Sequence, residues 1–439
     1  MGYIRQLLAT YVVRILLVPV GLAYAVLTAR ALGPEQLGIF AAIGTVLLAA
    51  AQLANLGLPI AVTRAAAVQP EKTGALIAGA RLTGALCGLT AMAVIGVTHR
   101  IAPAWFGAIP LELLLVAAFA LPFSLGSAQL QAILLGRRRM RQFNMIEMIN
   151  RLALLGGSAC VLLLLHRGLP ALVALTALLA LLQWVVYHFL LWPDSSRLRP
   201  DLGLLRGMGA VSFRAYLTVL LYFLVLRSDI LMINAMLDSR ATGVYNVAVQ
   251  GADALILLPA LAGMILLPRI AADSSERSAA LTALLTRHIV FIMAFACLVT
   301  ALACGWVVPA LFGSAYGEAT GALRVLLPGV FFISIQHVLH QDLSGRDYPW
   351  VLPAVWGIVL AINVALNALL LPRFGIRAAA FSSSVAYGAA ALLLSRYWLA
   401  RFPQLTLRDL LVLGAEERRA LWGRMTRSVP RNAPERGSA

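Results

Sequence analysis

Twelve long apolar runs constrain this chain more than any other feature. Each has 21 to 26 residues, and a helix of about 20 such residues crosses a hydrocarbon core of about 30 Å. The runs are continuous rather than alternating, and lipid offers the backbone no hydrogen-bond partner, so helices are the expected spanning elements. We predict an all-α integral membrane protein with helices near 6–30, 38–60, 75–98, 111–135, 146–166, 169–192, 211–236, 243–267, 286–308, 319–341, 350–372 and 376–399.

Composition excludes a water-soluble globule. The chain is 61% hydrophobic and only 12% charged, whereas soluble proteins carry about 25% charged residues. The formal net charge of +17 would suit a nucleic-acid partner if the basic residues formed a patch. They punctuate the apolar runs instead, so no nucleic-acid partner is expected.

The distribution of basic residues predicts the orientation of the helices. With the N-terminus inside, the inner segments carry 23 of the 35 Lys and Arg residues, and the outer loops carry six. Short inner loops of membrane proteins show this excess. Both termini are therefore predicted to be cytoplasmic. The first apolar run is longer than the roughly 7–15 residues of a signal peptide, which predicts an uncleaved first helix.

A duplication organises the two halves of the chain. Residues 32–67 superpose on residues 237–272 with an offset of 205, so that Gly38 meets Gly243, and matched Gly and Pro residues continue through both halves. Each copy holds six helices, an even number, so the copies have the same orientation. We therefore predict two parallel six-helix repeats about an axis along the membrane normal, with a water-lined, positively charged cavity between them.

The domain organisation follows from this duplication. We predict an N-terminal six-helix bundle over 1–192, a cytoplasmic linker over 193–210, a C-terminal six-helix bundle over 211–400 and a mobile basic tail over 401–439. Anionic lipid headgroups would attract the tail.

Four charged residues lie deep within the predicted spans: Arg14, Arg227, Asp229 and Asp253. Charge at such depth costs about 2.5–3.5 kcal/mol per residue, so these side chains should face the bundle interior. One interpretation is a structural ion pair, for example Arg227 with Asp253. The other is a wet cavity in which Arg14 and Arg227 hold a phosphate and Asp229 and Asp253 take up a proton or a cation.

Four further arginines are predicted within about two turns of the cytoplasmic face: Arg64, Arg81, Arg151 and Arg214. They fit topology signals whose side chains reach the interface. They also fit a vestibule that receives an anionic headgroup. In the eleventh helix, Asn363 and Asn367 share one face, which is typical of hydrogen bonding between helices.

Enzyme and cofactor motifs are missing from the sequence. It contains no phosphate-binding G-x-x-x-x-G-K-[ST] loop, which argues against an ATP-driven pump. The predicted outer loops are too short for an extracytoplasmic catalytic domain. We therefore expect neither catalysis nor a cofactor or metal.

Three stretches resemble one known family. The opening of the family is similar to ARALGPEQLGIFAAI at 29–43 with NLGLPIAVTR at 55–64. The start of its second half is similar to RSDILMINAMLDSRATGVYNVAVQGADALILLPALAGMILLPRIA at 227–271. The turn between its helices 11 and 12 is similar to LLPRFGIRAAAFSS at 370–383. The family is the Wzx-type polysaccharide flippases of the multidrug/oligosaccharidyl-lipid/polysaccharide (MOP) superfamily.

The resemblance implies alternating access in a bacterial cytoplasmic membrane. It implies a lipid-linked oligosaccharide as substrate, carried on a polyprenyl pyrophosphate, and coupling to protons or sodium. It also implies that a polysaccharide polymerase and export machinery are partners. Asp229 matches the acidic residue common in the seventh helix of the family, whereas Ile230 replaces the Arg that often follows it. A small-molecule antiporter of the same fold and a non-catalytic export scaffold or membrane glycosyltransferase stay as alternatives.

Overall fold

A computed structural model describes the backbone of residues 2–192, 210–272, 276–346 and 348–412, and the side chains of 16–192, 213–260, 278–346 and 348–412. Within these ranges the protein is helical and contains no strand. Eleven of the described helices are long and apolar enough to cross a membrane.

The predicted twelve crossings agree with these eleven helices. One helix extends over 40 apolar residues, Leu16–Asn55, about 60 Å at 1.5 Å per residue and twice a bilayer core. Gly33 interrupts it with φ 72° and ψ 172°, a conformation that glycine tolerates readily. The helix therefore crosses twice, once on each side of Gly33.

The N-terminal half contains seven helices and a π-helical turn, Cys160–Leu164, that follows α6. The helices are α1 (Gly2–Asn55), α2 (Leu58–Val68), α3 (Thr73–Ile101), α4 (Leu111–Ala118), α5 (Leu121–Gly136), α6 (Met140–Ala159) and α7 (Leu169–Leu191).

The C-terminal half continues with six long helices and one short one. They are α8 (Ala210–Met236), α9 (Ser239–Ala272), α10 (Glu276–Phe312), α11 (Gly317–Arg346), α12 (Val351–Phe374), α13 (Ile376–Arg401) and α14 (Leu407–Leu411). The predicted linker, 193–210, lies outside the described residues apart from Ala210, which begins α8.

The two copies of the repeat meet at equivalent positions. A Cβ atom on Gly38 would overlap the carbonyl oxygen of Ser239, and one on Gly243 would overlap that of Pro34. The offset of 205 maps Pro34 onto Ser239 and Gly38 onto Gly243, so each of the two contacts is the repeat equivalent of the other. Such reciprocity is the mark of a two-fold axis. The parallel arrangement of the repeats is therefore visible in one backbone contact.

The halves are held together mainly at one end of the bundle. Residues 30–37, 102–110, 237–240 and 312–317 lie at this end, which we call the distal end; residues 69–72, 137–139 and 402–406 lie at the opposite, proximal end. Arg30 donates to the carbonyls of Ala310 (2.6 Å) and Leu311 (2.7 Å). These carbonyls belong to the last turn of α10, where a cation is favourable.

Two further bonds close the distal end, and one lies near the proximal end. Tyr316 donates to the carbonyl of Ala29 (2.8 Å), and Asn234 donates to that of Phe106 (2.8 Å). Near the proximal end, Tyr216 donates to the carbonyl of Leu53 (3.1 Å). The described conformation is therefore closed at the distal end.

Two details differ from the predictions. The helix predicted near 111–135 is divided between Ala118 and Leu121, and Pro122 lies in the first turn of α5. In the tail, which was predicted to be mobile from residue 401, residues 401–412 are ordered. Its helix α14 buries Leu410 and packs on α10, and Thr406 with Asp409 forms a capping box. Hydrogen bonds from Thr406 lower the pKa of Asp409.

A buried ion pair joins three helices at the proximal end of the C-terminal half. Asp342 of α11 is fully buried and accepts from Arg346 (2.9 Å), from Thr282 of α10 (2.8 Å) and from Trp398 of α13 (2.8 Å). Arg346 lies over the Phe402 ring. These donors satisfy the buried carboxylate. Their hydrogen bonds also link α10, α11 and α13 to one another.

Candidate functional site

The most polar intramembrane site is built around Asp229 of α8. Its side chain is 1% exposed. Oδ2 accepts hydrogen bonds from the Tyr245 hydroxyl of α9 and from the Ser383 hydroxyl of α13 (3.3 Å). Oδ1 accepts from the backbone N–H of Ile230 (2.8 Å). Asp229 is thus held at a point where three helices converge.

Two asparagines extend this site along α12. Asn363 accepts from Ser228 of α8 (3.1 Å) and donates to Ser383 (3.2 Å). Asn367 donates to Asn363 (3.2 Å). Both asparagines are fully buried. Asn363 makes the predicted bonds between helices, whereas the bond from Asn367 to Asn363 lies within α12. The Oδ1 atom of Asn367 has no hydrogen-bond partner, so it is an available acceptor in the site.

An ion pair adjoins the buried aspartate. Arg227 donates to Asp253 of α9 at 2.6 Å, with side chains 25% and 38% exposed. The structure confirms the ion-pair interpretation of these two residues. Arg227 also acts electrostatically on Asp229. The three ionisable groups carry one positive and two negative formal charges, so a deprotonated Asp229 leaves the group with a net charge of −1.

The chemistry of these groups suits a small cation or a proton. Hard cations prefer carboxylate, amide and hydroxyl oxygens, and the site offers Asp229, Asn367 and Ser383. A single uncompensated charge in a low-dielectric interior is costly. Binding one proton or one monovalent cation removes that charge. Within the described residues, no group of three His, Cys, Asp or Glu side chains is placed to hold a metal.

The structure does not gather the predicted arginines into one cluster. Arg81 bonds to His188 of α7 at 2.9 Å. Arg214 donates to the carbonyl of Tyr348 (3.1 Å) and lies over the Trp350 ring. Arg64 is exposed on α2. Among the described side chains no contact joins any two of these arginines.

The other two arginines of the predicted set are Arg14 and Arg151. Arg14 lies within α1, but its side chain falls outside the described residues. Arg151 lies three turns from the start of α6 at Met140. It is exposed there and acts electrostatically on Tyr24 of α1. Its place near the cytoplasmic face stays a prediction.

A cavity of about 840 Å³ does lie between the halves, but it is not the predicted positive gap. Its lining comes from α1, α3, α8 and residues 105–106, and it is almost wholly apolar. None of the predicted arginines lines it. We call it the lateral cavity, because its wall includes α3 at the periphery of the N-terminal half.

Tyr245, Ser383 and Ser228 were not predicted as neighbours of Asp229. One signal was available in the duplication. The offset of 205 pairs Tyr245 with Phe40 and Asp229 with Tyr24, so the C-terminal copy has a hydroxyl and a carboxylate where the N-terminal copy has a phenyl ring and a phenol. Ser383 gives no such signal, because only packing of α13 against α8 brings it there.

Comparison with known proteins confirms the family resemblance. Residues 4–272, more than half of the chain, match the family described as polysaccharide biosynthesis protein. Over 76 residues the chain is 37% identical to the uncharacterized membrane protein YabM of Bacillus subtilis (strain 168), a match that spans 17% of this chain and 14% of that protein.

Solved structures share the fold. The chain superposes on the lipid II flippase MurJ in an inward closed conformation with TM-score 0.70 and 13% identity, covering 97% of this chain and 94% of that one. It superposes on an inward-facing multidrug resistance MATE transporter of the MOP superfamily with TM-score 0.67 and 14% identity, covering 88% and 94%. The chain is a multi-pass membrane protein of the polysaccharide biosynthesis family, with the MOP superfamily fold.

Proposed function

We propose that this protein moves a lipid-linked oligosaccharide repeat unit across the bacterial cytoplasmic membrane by alternating access. The observation that carries the proposal is the family match over residues 4–272. The reciprocal contact of the two halves at Gly38 and Gly243 supports it, because two repeats related in this way can rock against each other and expose each end in turn. In this proposal the proximal end is cytoplasmic, and the distal end faces outward.

Ion coupling is assigned to the group around Asp229. Its net charge of −1 favours uptake of one proton or sodium ion, and Asp253 takes part through its ion pair with Arg227. Arg227 is freed to meet a pyrophosphate when Asp253 is neutralised. Arg14, Arg64, Arg81, Arg151 and Arg214 are proposed to guide the anionic headgroup towards it. A polysaccharide polymerase and export machinery would receive the product.

Reconstituted vesicles test the proposal. The wild-type chain, Asp229→Asn and the control Glu112→Gln, an exposed acid at the distal end, are given a fluorescent lipid-linked oligosaccharide and a proton or sodium gradient. A lectin outside the vesicles reports the glycan that crosses. Glycan transport by the wild type and the control should increase with one of the two gradients. In Asp229→Asn we expect this increase to be about 5–150-fold smaller, the range that ordinary coupling free energies give.

The MATE-like fold favours one second candidate, a small-molecule antiporter. Efflux of a cationic dye from the same vesicles separates the two. Dye efflux without glycan movement would reject the flippase proposal, and an undiminished gradient response in Asp229→Asn would reject the assigned coupling site alone.

A further inference from the structure

The lateral cavity opens sideways rather than towards an aqueous end. Leu86, Val94 and Trp105 line it and are 57%, 57% and 70% exposed. Apolar cavities exclude water, and residues on these helices are surrounded by lipid. A hydrocarbon chain is therefore the material that fills it.

The two sides of the two-fold axis are packed differently at the level of the cavity. The offset of 205 pairs its lining residue Leu231 with Val26. On the opposite side Val26 packs against the C-terminal core, together with the buried Ala25 and Ala29. The first span of α1 thus packs directly against the C-terminal half. The equivalent part of α8 lines the lateral cavity instead.

A smaller polar pocket lies at the distal end of the cavity. It has a volume of about 370 Å³ and shares Ala235 with the lateral cavity. Its charged lining residues are Glu35, Asp238 and Arg240, all exposed. The two spaces together have the profile of one amphiphile, with an apolar body below a polar head.

Two buried polar atoms in this pocket have no partner. Asn234 and Ser239 are 4% and 5% exposed, and neither Oδ1 of Asn234 nor Oγ of Ser239 makes a hydrogen bond. Buried polar atoms are rarely left unpaired, because each costs about 1–3 kcal/mol. A bound headgroup with both donors and acceptors would satisfy both atoms.

We propose that the lateral cavity and the polar pocket together bind one membrane phospholipid with a primary-ammonium, zwitterionic headgroup, as in phosphatidylethanolamine. Glu35 and Asp238 face the ammonium group, and the free oxygen of Asn234 accepts one of its N–H bonds. Arg240 meets the phosphate, and Ser239 donates to it. One acyl chain occupies the apolar cavity.

Charge decides against an anionic occupant. The pocket carries two carboxylates and one guanidinium, so it repels a lipid that brings only phosphate. A polyprenyl pyrophosphate is excluded for the same reason, which makes this site distinct from the substrate path. Choline headgroups lack the N–H donors that the Asn234 oxygen needs.

The site bridges the halves where they are closed. Glu35 and Gly107 belong to the N-terminal half, whereas Asn234 and Arg240 belong to the C-terminal half. A lipid bound to both surfaces stabilises the distal-closed state by mass action. Membrane phosphatidylethanolamine would therefore tune how readily the distal end opens, whatever the substrate.

Native mass spectrometry of the full chain tests this proposal. The detergent-purified protein is offered equal amounts of phosphatidylethanolamine, phosphatidylcholine and phosphatidylglycerol with identical acyl chains. We expect one tightly retained phosphatidylethanolamine, preferred about tenfold over the other two because of its charge-assisted hydrogen bonds. Glu35→Gln with Asp238→Asn, which keeps the side-chain shapes, should abolish the preference. Ala235→Trp should block retention.

Two matched variants control for folding and bulk. Glu112→Gln removes a distal acid outside the pocket, and Leu302→Trp adds a ring on an exposed face of α10; both should bind as wild type. Equal retention of the three lipids, a preference for phosphatidylglycerol, or a preference that survives Glu35→Gln with Asp238→Asn would overturn the proposal. Displacement of the lipid by a polyprenyl pyrophosphate would overturn it too, because the cavity would then belong to the substrate.

Discussion

Two kinds of interaction act on the Asp229 carboxylate, hydrogen bonds and a longer-range electrostatic interaction. Tyr245 and Ser383 hold the carboxylate by hydrogen bonds, whereas Arg227 acts on it electrostatically from a distance while paired with Asp253. Asp229 is fully enclosed, and the ion pair is partly exposed. The pair is therefore the part of the site that a charged ligand can reach first.

The Arg227–Asp253 pair should show strong non-additivity. Arg227→Met leaves two carboxylates without their cation and should lower the free energy of unfolding by about 1–2 kcal/mol, less than the 3–5 kcal/mol of a fully buried pair because both side chains are partly exposed. Adding Asp253→Leu should restore most of the loss. Thermal unfolding in detergent measures both; a double variant less stable than Arg227→Met would contradict this reading.

At the scale of helices, the contact between α1 and α9 depends on having no side chain at two positions. Gly243→Ala places a methyl group on the carbonyl of Pro34, so the helices must separate or bend. We expect a loss of about 1–3 kcal/mol, the usual cost of overpacking. The control is Gly44→Ala on the same span of α1, where a Cβ meets nothing within 4 Å. Equal midpoints of thermal unfolding for the two variants would show that the contact is not tight.

Asymmetry between the copies also belongs to this scale. The first span of α1 packs into the C-terminal core, and Arg30 binds the end of α10. The repeat pairs Arg30 with Ala235, so α8 joins the N-terminal half differently, through the bond from Asn234 to the carbonyl of Phe106. The two copies thus use different residues to join the halves.

At the scale of the whole molecule, the distal bonds set which end is closed. Arg30→Ala removes two hydrogen bonds between the halves and should shift the population towards distal opening. Spin labels on Ala31 and Leu311 should then report longer distances, and labels at the proximal end, on Arg138 and Gln404, shorter ones. Arg100→Ala, an exposed distal arginine, is the matched control. Distances within either half should stay constant; if they change and those across the halves do not, rigid-body rocking is wrong.

Much of the fold could be predicted from local physical properties of the sequence. Continuous apolar runs of membrane length admit only helices, so the twelve crossings, their order and the duplication follow from hydrophobicity and from repeated Gly and Pro. The depth of Arg227, Asp229 and Asp253 also follows, because rise per residue converts position into depth. Even the meeting of Gly38 with Gly243 is implicit in the repeat, since a two-fold axis must bring some equivalent residues together.

Tertiary packing decided the rest. Ser383 and Asn363 come close to Asp229 only because α12 and α13 pack against α8. The spacing of residues within one helix does not show which residues of other helices will lie near it. The predicted arginine vestibule did not form a cluster, because His188 holds Arg81 locally, while Tyr348 and Trp350 hold Arg214. The cavity between the halves is apolar because packing brings apolar residues of α1, α3 and α8 together around it. Sequence determines which residues must avoid lipid, whereas only the packing of helices determines which of them meet.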